Sequence, residues 1–153
     1  ARRMRLQYLH PCTGCFGCWI KTPGKCVIRD DAVSIYPLLA QSERLLCVSR
    51  ILYGGYGVQM KAVLERAIPI QQPFIRLYQG ETHHFQRNTT EKEAVIIACG
   101  REGALSEEER ALFLRLTARN AKNLQWKTWR VLFPAEEDTE AVIRREVDAW
   151  PVS

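Results

Sequence analysis

Residues 44–67 read RLLCVSRILYGGYGVQMKAVLERA, and this stretch contains the pattern that decides the fold. Residues 44–49 form an apolar run of strand length, and three glycines then predict a loop. Residues 58–67 follow with apolar side chains at the i, i+3, i+4, i+7 spacing of one helix face, at Met60, Val63, Leu64 and Ala67. A buried strand, a glycine loop and a helix in succession are typical of an α/β domain.

The same alternation continues along the chain. Residues 93–98 and 126–133 predict two further strands, and Ser106 with Glu109 forms a capping box for the helix between them. Leu112, Phe113 and Leu116 supply the predicted buried stripe of that helix, and a charged helix ends near Trp150. Strands that alternate with helices predict a mainly parallel sheet.

Upstream of this core, residues 5–9 predict a short strand, and a helix is expected to begin at Asp31, a good N-cap residue. Residues 71–91 are expected to be irregular, and they are long for a connection. His83 and His84 lie in this connection, where we expect them to be solvent-exposed without a role.

Composition restricts the class of protein. The 153 residues fit one domain over the whole chain, and 46% hydrophobic with 25% charged residues is ordinary for a globular protein. No apolar run approaches the roughly 20 residues of a membrane helix, and no signal peptide is visible, so we expect a cytoplasmic protein. The net charge of +5 comes without any nucleic-acid-binding motif, so we do not expect nucleic acid as a partner.

Four of the six cysteines are crowded near the start of the chain, with the spacing C-x2-C-x2-C-x7-C. Cys12, Cys15, Cys18 and Cys26 offer four soft thiolate ligands, which suit a [4Fe–4S] cluster or a tetrahedral zinc ion. The alternative is that they pack the loop as small apolar residues beside Trp19. Cys47 and Cys99 lie in apolar runs and are expected in the core.

Two stretches resemble a known family. Residues 11–31, PCTGCFGCWIKTPGKCVIRDD, resemble the cysteine segment of the flavodoxin-like NAD(P)H-dependent FMN reductases and iron–sulfur flavoproteins. Residues 53–66, YGGYGVQMKAVLER, resemble the loop and helix after the third strand of that family, and Cys99-Gly100 falls where its fourth strand ends. The resemblance extends over most of residues 5–133.

The resemblance implies a flavodoxin-like three-layer α/β/α sandwich with a mainly parallel sheet, from which the first βα unit is absent. It implies a flavin-dependent redox protein in which NAD(P)H reduces FMN at the carboxyl ends of the strands. Cys12, Cys15, Cys18 and Cys26 would hold the cluster, and Tyr53 or Tyr56 would cover the flavin ring. The residues expected to border FMN are Ser49, Arg50, Ile51, Leu52, Tyr53, Gly54, Gly55, Gly100 and Arg101.

Because the phosphate-binding loop of the family has no counterpart in this sequence, we expect weak FMN binding by this chain alone. We also expect self-association through apolar residues of segment 70–91, which would cover the sheet edge left by the absent strand. Two alternative functions stay open: a non-catalytic relative that serves as a binding or assembly partner, and a zinc-stabilised interaction module. The sequence leaves the electron acceptor or redox partner unspecified.

Overall fold

A computed structural model describes residues 8–87, 89–100 and 105–150 of the chain. Its helices and strands follow the alternating order that the sequence predicts. In chain order they are α1 (Gly17–Ile20), α2 (Ala32–Gln41), β1 (Arg44–Leu52), β2 (Gly55–Tyr56), α3 (Val58–Glu65), a 3₁₀ turn (Ile68–Ile70), β3 (Gln71–Tyr78), β4 (Glu81–Gln86), β5 (Lys92–Cys99), α4 (Glu107–Asn123), β6 (Trp126–Leu132) and α5 (Thr139–Asp148).

The main sheet has the strand order β2-β1-β5-β6. Strand β5 pairs in parallel with both β1 and β6, whereas the two-residue strand β2 folds back antiparallel onto the end of β1. The mixed α/β fold with a mostly parallel sheet confirms the predicted class and is consistent with a flavodoxin-like fold.

Both faces of the sheet are covered. Ile96 packs on one face with Phe113 of α4, and Ile97 packs on the other with Val142 and Ile143 of α5. Ile96 and Ile97 are both fully buried although they are consecutive, because a strand directs successive side chains to opposite faces. This arrangement is the three-layer sandwich that the sequence predicts. No helix in the described ranges has the length and apolar character to cross a membrane.

The predicted strand at residues 5–9 is not found in its described part. Tyr8 and Leu9 lie in no regular structure, and residues 5–7 fall outside the described ranges. The backbone N–H groups of Tyr8 and His10 instead donate to the carboxylates of Asp31 and Asp30. These two backbone N–H groups are therefore bonded to side-chain carboxylates, where a strand would bond to the backbone of its neighbour.

The prediction of an irregular connection at residues 71–91 was wrong, because β3 and β4 form an antiparallel hairpin there. The turn uses Gln79 and Gly80, which both have positive φ, the conformation of a tight two-residue hairpin turn. Glu81 anchors the hairpin to α4 through ion pairs with Arg119 and Lys122. Phe74, Ile75 and Leu77 are exposed on β3, and self-association through them stays a prediction.

The two histidines of the hairpin are half-buried, not solvent-exposed as expected. His83 contacts the carboxylate of Glu81 and the side-chain amide of Asn123. The ring of His84 lies 4.8 Å from that of Trp19, which belongs to the cysteine segment. The hairpin therefore packs against both the cysteine segment and the end of α4.

Helix α4 begins at the predicted capping box, in which the Ser106 hydroxyl accepts from the backbone N–H of Glu109. Phe113 is fully buried and Leu116 packs against the same core, as expected. Leu112 is largely exposed, so its placement in the buried stripe was wrong. Its side chain lies over Gly54 at the end of β1 instead.

Lys92, at the start of β5, is a buried cation that helps to hold α2 against the sheet. Its ammonium group donates to the backbone carbonyls of Ala40, Ser42 and Thr90 at 3.1, 3.0 and 2.8 Å. The first two carbonyls belong to the end of α2, where helix geometry leaves carbonyls without intrahelical partners. Burial lowers the pKa of Lys92.

We expect Lys92→Met to lower the free energy of unfolding by about 2 kcal/mol or more, because it leaves buried carbonyls without donors. Lys127→Met is the matched control, since Lys127 is exposed and its ion pair with Glu91, at 3.6 Å, lies on the surface. The control should change stability by no more than about 0.5 kcal/mol. Urea unfolding of the three proteins measures both values, and equal midpoints would contradict the role given to Lys92.

Candidate functional site

The four clustered cysteines line one small cavity of about 20 Å³. Cys12 and Cys15 precede the single turn α1, Cys18 lies within it, and Cys26 follows it. Cys18 and Cys26 are buried, whereas Cys15 is exposed at the mouth of the cavity. The structure therefore brings together all four of the predicted ligands.

The sulfur atoms influence one another's protonation. Burial, followed by the nearby Cys26, Cys12 and Cys15, raises the pKa of the Cys18 thiol. The pKa of Cys15 is lowered, first by a hydrogen bond from the backbone of Gly17 and then by the side chain of Thr13. The cavity thus has a thiolate-favouring sulfur at its mouth and a thiol-favouring one inside.

The donor set has the chemistry of a metal site, but the sulfurs are not in binding positions. Among the described residues, no three His, Cys, Asp or Glu side chains have the geometry to hold a metal ion. Residues 11–16 carry Cys12 and Cys15 without regular structure, and Gly14 there has a φ of +66° with open space around it. Four soft thiolates fit a [4Fe–4S] cluster or zinc, provided that this stretch moves toward Cys18 and Cys26.

A buried ion pair fixes the far end of the cysteine segment to α3. The Arg66 guanidinium donates to both Asp30 carboxylate oxygens, at 2.7 and 2.8 Å, and the two side chains are 2% and 0% exposed. Arg66 also donates to the carbonyls of His10 and Ile28, on either side of the cysteines. Burial is the largest single effect on Asp30 and acts to raise its pKa. The hydrogen bonds from Arg66 and from the backbone of His10 act together in the opposite direction, and the net shift of the pKa is downward.

Cys26 is fixed by its own contacts. Its backbone N–H donates to the Tyr36 hydroxyl at 3.1 Å, and its side chain packs with Ala67 and Ile70. Cys47 and Cys99 are buried in the sheet core as predicted, and burial raises the pKa of Cys47 to about 12. The cysteines therefore divide into a clustered group of four and two core residues.

The residues predicted to border FMN come to the carboxyl edge of the sheet. Strands β1 and β5 run in parallel with Arg50 opposite Cys99, so the chain after Arg50 and Gly100 emerge side by side. Gly100 is half-buried, and Arg101 lies outside the described residues. The carboxyl edge of a parallel sheet is the usual ligand side of such folds.

The predicted flavin residues differ in what they can offer a ligand. Ser49 is 5% exposed, and its hydroxyl is already used between the Gly57 N–H and the Arg50 carbonyl. Ile51 is a core residue, whereas Arg50 is exposed and pairs with Glu136 at 3.2 Å. Leu52 and Gly55 are half-buried at the turn, and Gly54 is buried under Leu112.

Tyr53 is the accessible aromatic residue of this edge, with 96% of its surface exposed. It shares a tight turn with Gly54, and both have positive φ. Tyr56, the alternative ring contact, is buried, and its hydroxyl lies 3.1 Å from that of Thr117. Of the two tyrosines, Tyr53 can therefore contact a ligand at this edge.

One contact of the cysteine segment lies at the end of the sheet opposite the carboxyl edge. Trp19 of α1 donates to the carbonyl of Gln71, whose own side chain donates to the carbonyl of Asn123. Asn123 ends α4 and precedes β6, so this contact lies at the amino end of the strands. Sequence reasoning did not single out Asp30, Arg66 and Glu136, although Asp30 and Arg66 lie within the two stretches that carry the resemblance.

Comparison with known proteins relates the chain to iron–sulfur flavoproteins. It is 33% identical to one from Methanocaldococcus jannaschii over 66 residues, which is 43% of this chain and 33% of that protein. It is 36% identical to another from Archaeoglobus fulgidus over 58 residues, 38% of this chain and 26% of that protein. The matches thus span about a third or less of these relatives. No family model and no solved structure matches the chain significantly.

The turn after β1, at the carboxyl edge, provides a test of how tightly this region is packed. A Cβ at position 54 would lie 2.5 Å from Leu112 Cδ2 in a backbone with φ of +73°, whereas position 80, with φ of +78°, has open space. We expect Gly80→Ala to cost about 1–2 kcal/mol from backbone strain alone, and Gly54→Ala to cost about 1–3 kcal/mol more. Urea unfolding measures both, and equal costs would argue against close packing of Leu112 on the turn.

Proposed function

We propose that this chain is part of a flavin-dependent redox protein, in which Cys12, Cys15, Cys18 and Cys26 hold a [4Fe–4S] cluster. The observation that carries the proposal is the gathering of all four thiols around one cavity. The similarity to two iron–sulfur flavoproteins supports the same reading. Zinc would use the same thiolates, and metal analysis separates the two ions.

FMN would bind at the carboxyl edge of the sheet, where NADH or NADPH would reduce it as in a flavin reductase. When bound, FMN would take a hydride from the nicotinamide and pass electrons on singly or in pairs. Tyr53 would contact the ring, because its side chain is exposed in the turn that follows β1 at that edge. Arg50, held by Glu136, would place a positive charge beside the ring.

The protein's own residues would order the cluster ligands. Asp30 and Arg66 fix the end of the segment that carries Cys26, and Trp19 pins α1 to Gln71. The stretch with Cys12 and Cys15 would then complete the site from the solvent side. Partial burial by Ile28 and Ile68, which line the same cavity, would limit the access of water to the sulfurs.

We expect the four cysteines to act as one unit. Cys15→Ser or Cys18→Ser should lose most of the iron bound after anaerobic reconstitution with iron and sulfide, because a three-thiolate site leaves one iron without its ligand. Cys47→Ala is the matched control, since Cys47 is a buried core cysteine away from the cavity, and it should keep the wild-type iron content. Iron and acid-labile sulfide analysis with visible absorbance provides the measurement.

The cluster assignment fails if Cys15→Ser retains full iron content. It also fails if the wild-type chain holds no iron or sulfide after anaerobic reconstitution. A colourless wild-type protein with one zinc per chain would assign the thiolates to a zinc-stabilised module instead.

We expect this chain alone to bind FMN and riboflavin with equal and weak affinity, because the described part of the carboxyl edge offers the ring a contact at Tyr53 and the sequence shows no counterpart of the family's phosphate loop. Two missing charge-assisted hydrogen bonds, at about 1.5–3 kcal/mol each, weaken binding roughly a hundredfold or more. Tyr53→Ala should weaken both ligands about tenfold, with little effect on folding because the side chain is exposed.

Fluorescence titration of the purified chain with FMN and with riboflavin checks these values. A strong preference for FMN would reveal a phosphate site within the chain. Unchanged binding by Tyr53→Ala would remove this edge as the ring site.

A further inference from the structure

The guanidinium group of Arg66 has one N–H whose use the fold does not explain. The two terminal nitrogens donate to Asp30 and to the carbonyls of His10 and Ile28. Arg66 Nε is buried and has no hydrogen-bond partner among the described residues. Buried donors are almost always satisfied in folded proteins, so an unpartnered one points to an acceptor that is completed by a ligand or a small movement.

The sulfur of Cys26 is the acceptor that the surroundings offer. Cys26 packs against Ala67, the residue after Arg66, and lines the four-cysteine cavity. Arg66 also donates to the carbonyl of Ile28, two residues after Cys26, and Ile28 lines the same cavity. The guanidinium therefore lies next to the stretch of chain that carries the Cys26 sulfur.

We propose that Arg66 is a positioning residue for Cys26, whose metal-bound sulfur accepts a hydrogen bond from Arg66 Nε. The inference rests on the proposed function, since it requires Cys26 to be a metal ligand. Asp30 neutralises this cation, which is 2% exposed, while the carbonyls of His10 and Ile28 also hold the guanidinium in place. Cys26 would then be the ligand that is fixed before a metal arrives.

This hydrogen bond would have two chemical consequences. It would orient the Cys26 sulfur and so strengthen metal retention, as partners of metal ligands commonly do. It would also withdraw electron density from the sulfur, which stabilises the more negative, reduced form of a cluster and raises its reduction potential.

The variant Arg66→Lys separates the hydrogen bond from Nε to the Cys26 sulfur from the ion pair with Asp30. Lysine keeps a positive charge for Asp30 but has no Nε–H. After anaerobic reconstitution, we expect the variant to lose iron to a chelator about 10- to 100-fold more readily than the wild type. Its midpoint potential, measured by titration with dithionite against redox dyes, should be lower than that of the wild type.

Two further variants guard against a purely structural effect. Asp30→Asn weakens the ion pair but leaves Arg66 Nε in place, so it should reduce thermal stability while the potential stays near the wild-type value. Arg119→Lys, at an exposed arginine paired with Glu81, should change neither property. If Arg66→Lys does not fold, the neutral double variant Arg66→Gln with Asp30→Asn replaces it, and the same iron loss and lower potential are expected.

The outcomes distinguish this inference from the function on which it rests. A wild-type chain that takes up no iron overturns both. A wild-type chain that binds iron while Arg66→Lys matches it in potential and retention overturns only the role of Arg66. A potential that falls equally in Asp30→Asn and Arg66→Lys also overturns it, because the effect would then follow from loss of the ion pair.

Discussion

The buried ion pair between Asp30 and Arg66 is the interaction on which the arrangement of the cysteines depends. It joins the end of the cysteine segment to the end of α3, and Arg66 reaches carbonyls on both sides of the four thiols. Removing one partner of such a pair typically costs about 3–5 kcal/mol, because the other charge stays buried. The pair therefore ties the cysteine segment, which has little regular structure, to the end of α3.

The parallel sheet imposes a second constraint, because it gives the two sets of candidate residues different surroundings. The carboxyl ends of β1 and β5 bring Arg50, Tyr53 and Gly100 to one edge. The cysteine segment packs toward the other end of the strands, through Trp19 and Gln71. The two sets of candidate residues therefore rest on different contacts of the same sheet.

Local sequence patterns predicted most of the fold but failed where tertiary contacts decide. The strand and helix periods placed β1, β5, β6, α3 and α4 within a few residues of their observed bounds. The hairpin β3–β4 escaped prediction because its turn places Gln79 at positive φ and its strands keep apolar side chains exposed. Periodicity also could not tell Leu112 from Phe113, since which one is buried depends on the strands that α4 meets.

The sequence by itself determined the α/β class and the cysteine cluster, because periods of two and 3.6 residues and the C-x2-C-x2-C spacing are local properties of the chain. Only the tertiary structure decided which side chains are exposed to a ligand and which are buried in contacts of the fold. Tyr53 and Tyr56 are three residues apart in similar surroundings, yet the turn exposes one and Thr117 binds the other. Asp30 and Arg66 are likewise ordinary charges in the sequence, and they meet only because folding brings residues 36 positions apart into one buried contact.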